Sequence, residues 1–150
     1  MDNGLIYHVH ARWETGRGEV VTAQGAEPKI IFSLAAQCEV AKPLWTPEQL
    51  LLAAVASSYI VTFRAMADRL RVEFLGFQLS VQGKLAKQGE RLAFTDIVLN
   101  PTLTIIRHAD RKQADQLLEK AEHECLITRS LACPVLMEPL VLVSEEILAQ

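Results

Sequence analysis

Three cysteines, Cys38, Cys125 and Cys133, are the side chains of this 150-residue chain best suited to reactive chemistry. None forms a CxxC pair of the kind that holds zinc, and three thiols cannot all pair within one chain, so at least one is free in the monomer. Cys125 has the most informative address, because it extends the apolar stripe Ala114, Leu117, Leu118 and Ala121 at the carboxyl end of an expected helix. A free cysteine in such a place usually serves as a small buried hydrophobe. The carboxyl end of a helix also carries negative partial charge, which disfavours a thiolate. As a nucleophile, Cys125 would therefore need a cation nearby.

Other candidates are weaker taken singly. Glu48 falls in the first turn of a helix, where a carboxylate complements the helix dipole for about 0.3–1 kcal/mol without any further role. Arg17 stands on a turn between Gly16 and Gly18, a setting in which most arginines are simply solvated. Ser58 lies mid-helix among apolar residues, where a hydroxyl commonly bonds back to the backbone. There is no Gly-x-Ser-x-Gly elbow and no partner base fixed by the sequence, which argues against a serine hydrolase. His8 and His10 share a strand face, and His123 with Cys125 forms a His-x-Cys pair, but neither is a metal-binding spacing and no metal or cofactor is expected. Cys38 sits in a loop ahead of the first helix.

The elements that must position these residues are well marked. Thr46 to Leu70 begins with an N-cap threonine, Pro47 at the first helical position and Gln49 completing a Thr-x-x-Gln capping box. Between Leu50 and Val61 only Ser57, Ser58 and Tyr59 carry polar groups, so the front half is expected to be buried on every side. The run is interrupted by charge at both ends and is shorter than the roughly 20 apolar residues of a membrane span, which makes it a core helix. Asp110 with Gln113 marks a second start, followed by a one-faced amphipathic helix ending at Cys125.

Before the first helix, Leu5–Trp13, Glu19–Thr22 and Lys29–Ser33 read as three short antiparallel strands separated by glycine-bearing turns. After it, Val72–Gln82 is strand-like, with Gly76 as an expected bulge or point of close approach. Gly83–Arg91 is charged and turn-like, and Leu92–Ile106 is a longer strand whose Pro101 implies an edge or a bulge. Leu126–Pro134 reads as a connection, and Val135–Val143 as a final strand broken at Glu138-Pro139. With no βαβ alternation and no repeat, the order favours an α+β fold.

Length predicts one domain over residues 1–150, able to bury about two-thirds of its unfolded surface without staples. Half the residues are hydrophobic and 22% charged, and the mean hydropathy of +0.17 leaves apolar surface that a partner subunit would cover. A net charge of −3 and the lack of a Lys/Arg cluster argue against nucleic-acid or anionic-membrane partners. The opening MDNGLIYHVHARW has no basic segment leading into an apolar one, so the expected compartment is the cytoplasm.

Taken together, Pro47-Glu48-Gln49-Leu50 opening an Ala-rich apolar helix, Cys125-Leu-Ile-Thr-Arg-Ser130-Leu131, and Pro134-Val135 before a last strand resemble the OsmC/Ohr family. The likeness runs from the Gly16-Arg17-Gly18 turn to the Glu138-Pro139 strand. It implies antiparallel sheets packed around two long helices in an intertwined homodimer, with sites at the subunit interface. It also implies thiol-dependent reduction of hydroperoxides in oxidative or osmotic stress, by one cysteine in the first helix and a second near the end of the next. Carried over by position, Glu48 matches the family's glutamate, Cys125 its second cysteine, and Arg17 its arginine, with Arg12 as the weaker choice. The attacking cysteine falls at Ser58.

An alcohol without a base is a poor nucleophile, so the usual two-cysteine cycle is expected to be absent. Three readings follow. One is a degenerate member whose interface pocket holds a small hydrophobic or anionic ligand, Arg17 supplying charge. Another is a one-cysteine peroxidase in which Cys125 attacks and Cys133, Cys38 or a small thiol resolves it. The third is a dimer with no retained site.

Overall fold

The computed structural model describes residues 7–14, 18–23, 26–32 and 44–144. Arg17 and Cys38 lie outside the described residues, as do the start of the first expected strand, residues 33–43 of the stretch before the first helix and residues 145–150 of the tail. The chain divides into two compact units, Met1–Leu51 and Leu52–Gln150. The first holds β1 (Val9–Glu14), β2 (Gly18–Ala23) and β3 (Ile30–Phe32), paired antiparallel in the order β1-β2-β3. An isolated parallel bridge joins Phe32 to Trp45 just before the helix.

Helix α1 (Pro47–Leu70) starts in the first unit and ends in the second. Its capping box forms as the residue types require: Gln49 N–H donates to Thr46 Oγ1 at 3.2 Å, and Thr46 N–H donates to Gln49 Oε1 at 3.0 Å. The helix stops with Arg71 in the left-handed region, φ 53°, and Val72 N–H reaches back to the Ala67 carbonyl at 2.9 Å. Its buried residues are Val55, Tyr59, Phe63 and Ala67, a single stripe at steps of four. The protomer alone therefore buries one face of α1 and not every side. Within the protomer α1 covers the core with one face, and Val61 on another face is 68% exposed. By length and composition α1 is also long and apolar enough to cross a membrane. Length therefore does not separate a core helix from a span, and the stripe packed into the core marks α1 as a core helix.

The larger sheet explains where that stripe goes. Strands β4 (Gly76–Gln88) and β5 (Arg91–Ile105) form one long antiparallel hairpin, turning at Gly89, whose φ of 66° suits glycine. β4 continues through the charged segment expected to be a turn. Antiparallel pairing with β5 satisfies its backbone while Lys84 and Lys87 remain in water. The ladder shifts register after Lys84, leaving Thr95 as an extra residue on β5. The point of close approach is Gly83 rather than Gly76. A Cβ at Gly83 would lie 2.5 Å from Phe94 Cε1 and 2.9 Å from Leu52 Cδ2, so α1 and the hairpin meet there only because the side chain is missing. Further along both elements, Phe63 stacks on Phe77 with ring centroids 4.2 Å apart and meets Phe74 edge-on at 5.3 Å.

A 3-10 turn over His108–Asp110 leads into α2 (Arg111–Glu124). Asp110 does not cap α2 as expected, because its carboxylate takes both Arg107 Nε and Nη2, at 3.1 and 3.2 Å. The apolar stripe of α2 is buried as read: Ala114, Leu117, Leu118 and Ala121. A short helix, α3 (Leu126–Arg129), occupies part of the expected connection. β6 (Val135–Met137) and β7 (Leu140–Val143) then pair parallel to β5, so the sheet is mixed and β5-α2-β6 is a crossover that the sequence order did not suggest. The break at Glu138-Pro139 falls where it was read. Pro101 is buried on interior strand β5, facing the gap between β6 and β7 instead of an outer edge. The architecture is α+β.

Candidate functional site

The α1 stripe and the end of α2 meet beside Ser58. Its neighbour Tyr59 is fully buried, and the Tyr59 hydroxyl donates to the Leu118 carbonyl of α2 at 3.0 Å, with Met137 Sδ 3.5 Å away. A phenol in the core must find an acceptor, and this one ties α1 to α2. Burial raises the Tyr59 phenol well above its ordinary range, with smaller contributions from the Glu122 carboxylate and from Cys125. It stays a protonated donor. Tyr59 is not among the expected site residues, although a tyrosine inside an apolar helical run is a signal for a buried hydrogen bond.

One residue back, Ser58 Oγ accepts a hydrogen bond from the Cys125 thiol at 3.2 Å. The hydroxyl expected to bond to the backbone is instead that of Ser57, which donates to the Ala54 carbonyl at 3.1 Å. The Ser58 carbonyl accepts from Thr62 Oγ1 at 2.9 Å. Cys125 is held from both sides along the chain: its N–H donates to the Glu122 carbonyl at 3.2 Å, and its own carbonyl accepts from Thr128 Oγ1 at 3.0 Å and Arg129 N–H at 3.2 Å. Its backbone is extended, φ −65° and ψ 117°, so it stands between α2 and α3 rather than inside either. Cys125 has no exposed surface, whereas Ser58 is half-buried.

Of the expected site residues the structure brings together Ser58 and Cys125. Glu48 is half-buried in the first turn of α1. Arg12 stands on β1 opposite Val20, and Arg17 lies outside the described residues. Cys133 is a half-buried free thiol packed against the core. His123 is exposed, its Nδ1 3.9 Å from Glu122 Oε2. Among the described residues no three His, Cys, Asp or Glu side chains gather as a metal ion would require.

A mixed sheet with two helices laid against it is the architecture of a known class of protein. Residues 41–139 match the model of the OsmC-like protein family, and the chain belongs to that family. It is 24% identical over 128 residues to the uncharacterized protein YmaD of Bacillus subtilis (strain 168), covering 83% of this chain and 85% of that one. Among solved structures it is similar to an OsmC-like protein of unknown function from Vibrio cholerae O1 biovar eltor str. N16961, with a TM-score of 0.76, 20% identity, and 91% and 100% of the two chains covered. It is also similar to an organic hydroperoxide resistance protein, OsmC, from Legionella pneumophila, with a TM-score of 0.70, 18% identity, and 93% and 100% covered. The α1 of this divergent member contains no cysteine.

Proposed function

We propose that this chain is a dimeric OsmC-like protein of the oxidative or osmotic stress type that has lost two-cysteine peroxidase chemistry and keeps the site as a binding pocket for a small hydrophobic or anionic ligand. The reading rests on the 3.2 Å contact between Ser58 Oγ and Cys125 Sγ. A serine occupies the position to which the family resemblance assigns the attacking thiol, and its partner is the cysteine to which that resemblance assigns resolution. The Legionella relative is named for organic hydroperoxide resistance, and that chemistry needs a thiolate that can reach the peroxide oxygen. A serine hydroxyl cannot accept that oxygen to form a sulfenic acid. Cys125 presents no exposed surface for an incoming peroxide to meet. In this reading the roles that the family resemblance gives Arg17 and Glu48 pass from peroxide chemistry to ligand recognition, and the compartment is the cytoplasm.

The dimer is supported by α1 itself. In its most apolar stretch 28% of the residues are buried and Val61 is 68% exposed, which leaves apolar surface for a second copy to cover. Sedimentation at micromolar concentration should give a dimer, and a stable monomer there would remove the interface from the reading. The chemistry is tested by hydroperoxide consumption with a dithiol reductant. Negligible turnover is expected from both wild type and Cys125→Ser. Wild-type turnover that vanishes in Cys125→Ser would establish Cys125 as a working peroxidatic thiol and overturn the proposal.

A further inference from the structure

A cleft of about 430 Å³ opens between the last turns of α1 and α2, lined by Met66, Arg69, Lys120, His123 and Glu124. It lies further along α1 than the Ser58–Cys125 contact and shares no residue with it. Its volume falls within the roughly 300–1,000 Å³ typical of small-molecule sites. Two permanent cations, Arg69 and Lys120, come from different helices and face the same space as the single carboxylate of Glu124. Among the described residues no ion pair joins Arg69 or Lys120 to a carboxylate, so the nearby Glu124 does not neutralise them. The lining therefore carries a net positive charge in a protein whose overall charge is −3. Met66, half-buried, supplies an apolar wall, and His123 adds a ring that can donate one further hydrogen bond.

From this we infer that the cleft is a binding site for a small organic oxyanion, with its charged end held between the Arg69 guanidinium and the Lys120 ammonium and its carbon skeleton against Met66. A guanidinium offers a planar fork that matches two oxygens of one carboxylate or phosphate, while the ammonium acts as a point charge from the other side. Glu124 works against the anion and limits affinity, setting the sign of one test. The chemistry shared by carboxylates and phosphate esters fits the lining, so the two are separated by experiment.

The test is titration of the full-length wild-type protein, at fixed ionic strength, with succinate in one arm and glycerol phosphate in the other, following the Met66 methyl and His123 ring resonances. Saturable shifts at both residues are expected in at least one arm, and the arm that saturates at lower concentration identifies the oxyanion. Arg69→Gln and Lys120→Gln, both exposed and so not expected to disturb folding, should each weaken binding about tenfold or more, the loss of roughly one charge-assisted contact. Glu124→Gln should tighten it several-fold. Linear, non-saturating shifts in both arms, an unchanged Kd in Arg69→Gln and Lys120→Gln, or weaker binding in Glu124→Gln would each overturn the assignment. Because Arg69→Gln and Lys120→Gln leave Ser58, Cys125 and their chain neighbours unchanged, failure here leaves the reading of that contact standing, and the reverse also holds.

Discussion

Replacing Ser58 by cysteine should convert the protein into a hydroperoxide reductase. In Ser58→Cys the introduced thiol lies within reach of Cys125, whose sulfur is already 3.2 Å from the Ser58 oxygen. The half-buried position allows a peroxide to approach where Cys125 alone does not. The introduced thiolate attacks the outer peroxide oxygen, the O–O bond breaks, the alcohol leaves with a proton, and a sulfenic acid remains. The Cys125 thiol then attacks that sulfur, expelling water and closing a disulfide, and two thiols of the added reductant return both cysteines to the reduced state. Turnover with an organic hydroperoxide and a dithiol should exceed wild type by about a hundredfold or more, the factor that roughly 2.7 kcal/mol of barrier represents. After one equivalent of peroxide without reductant, intact mass should fall by two hydrogens, and the double variant Ser58→Cys/Cys125→Ser should not show that loss. No gain in Ser58→Cys, with the disulfide forming normally under a mild oxidant, would mean that peroxide access or thiolate activation has also been lost.

The largest stability loss is expected at Phe63. Its ring is fully buried, stacked 4.2 Å from Phe77 and edge-on to Phe74 at 5.3 Å. Phe63→Ala removes both ring contacts and leaves a cavity between α1 and β4, which should cost about 3–5 kcal/mol. For a chain of this length that lowers the melting temperature by on the order of 10 °C. Val61, on the same helix but 68% exposed, supplies the control. Val61→Ala empties no cavity in the protomer, so it should cost no more than about 0.5 kcal/mol there, and any larger loss reports on the proposed dimer contact. Calorimetry or urea unfolding distinguishes the two. A Phe63→Ala protein within about 1 kcal/mol of wild type would show that the aromatic cluster is not the centre of the core.

Both long helices could be read from the sequence because their signals are local. The Thr46–Gln49 capping box and the stripe of α2 each lie within a few residues and form as their chemistry requires. Features that depend on a distant neighbour were read less well. Gly76 and Gly83 look alike in sequence, and only the approach of Leu52 and Phe94 makes Gly83 the contact point. The charged end of β4 resembled a turn because its pairing with β5 cannot be seen from composition. Asp110 offered a cap signal but was claimed by Arg107. The parallel return of β6 and β7 is likewise a matter of topology and not of pattern.

The candidate site shows the same division. Ser58 and Cys125 stand 67 residues apart in the chain, and no periodicity links them. Their meeting follows from α2 crossing α1 with Tyr59 tied to the Leu118 carbonyl, a contact that the apolar run around Tyr59 could have suggested. Family resemblance supplied the pairing that residue patterns could not.

The placement of Pro101 has one more result. β6 pairs with Ile97–Leu99 and β7 with Thr102–Ile105, so the imide nitrogen, which has no hydrogen to give, lies where neither strand asks for one. Glu138 N–H bridges the interruption to the Leu99 carbonyl at 2.8 Å. If the returning segment slid along β5, a paired residue would face Pro101 and lose its ladder bond, while the Glu138-Pro139 kink would land on intact strand. The proline thus acts as an alignment key. The last two strands have one position in which to dock, and the chain leaving α3 must close onto it.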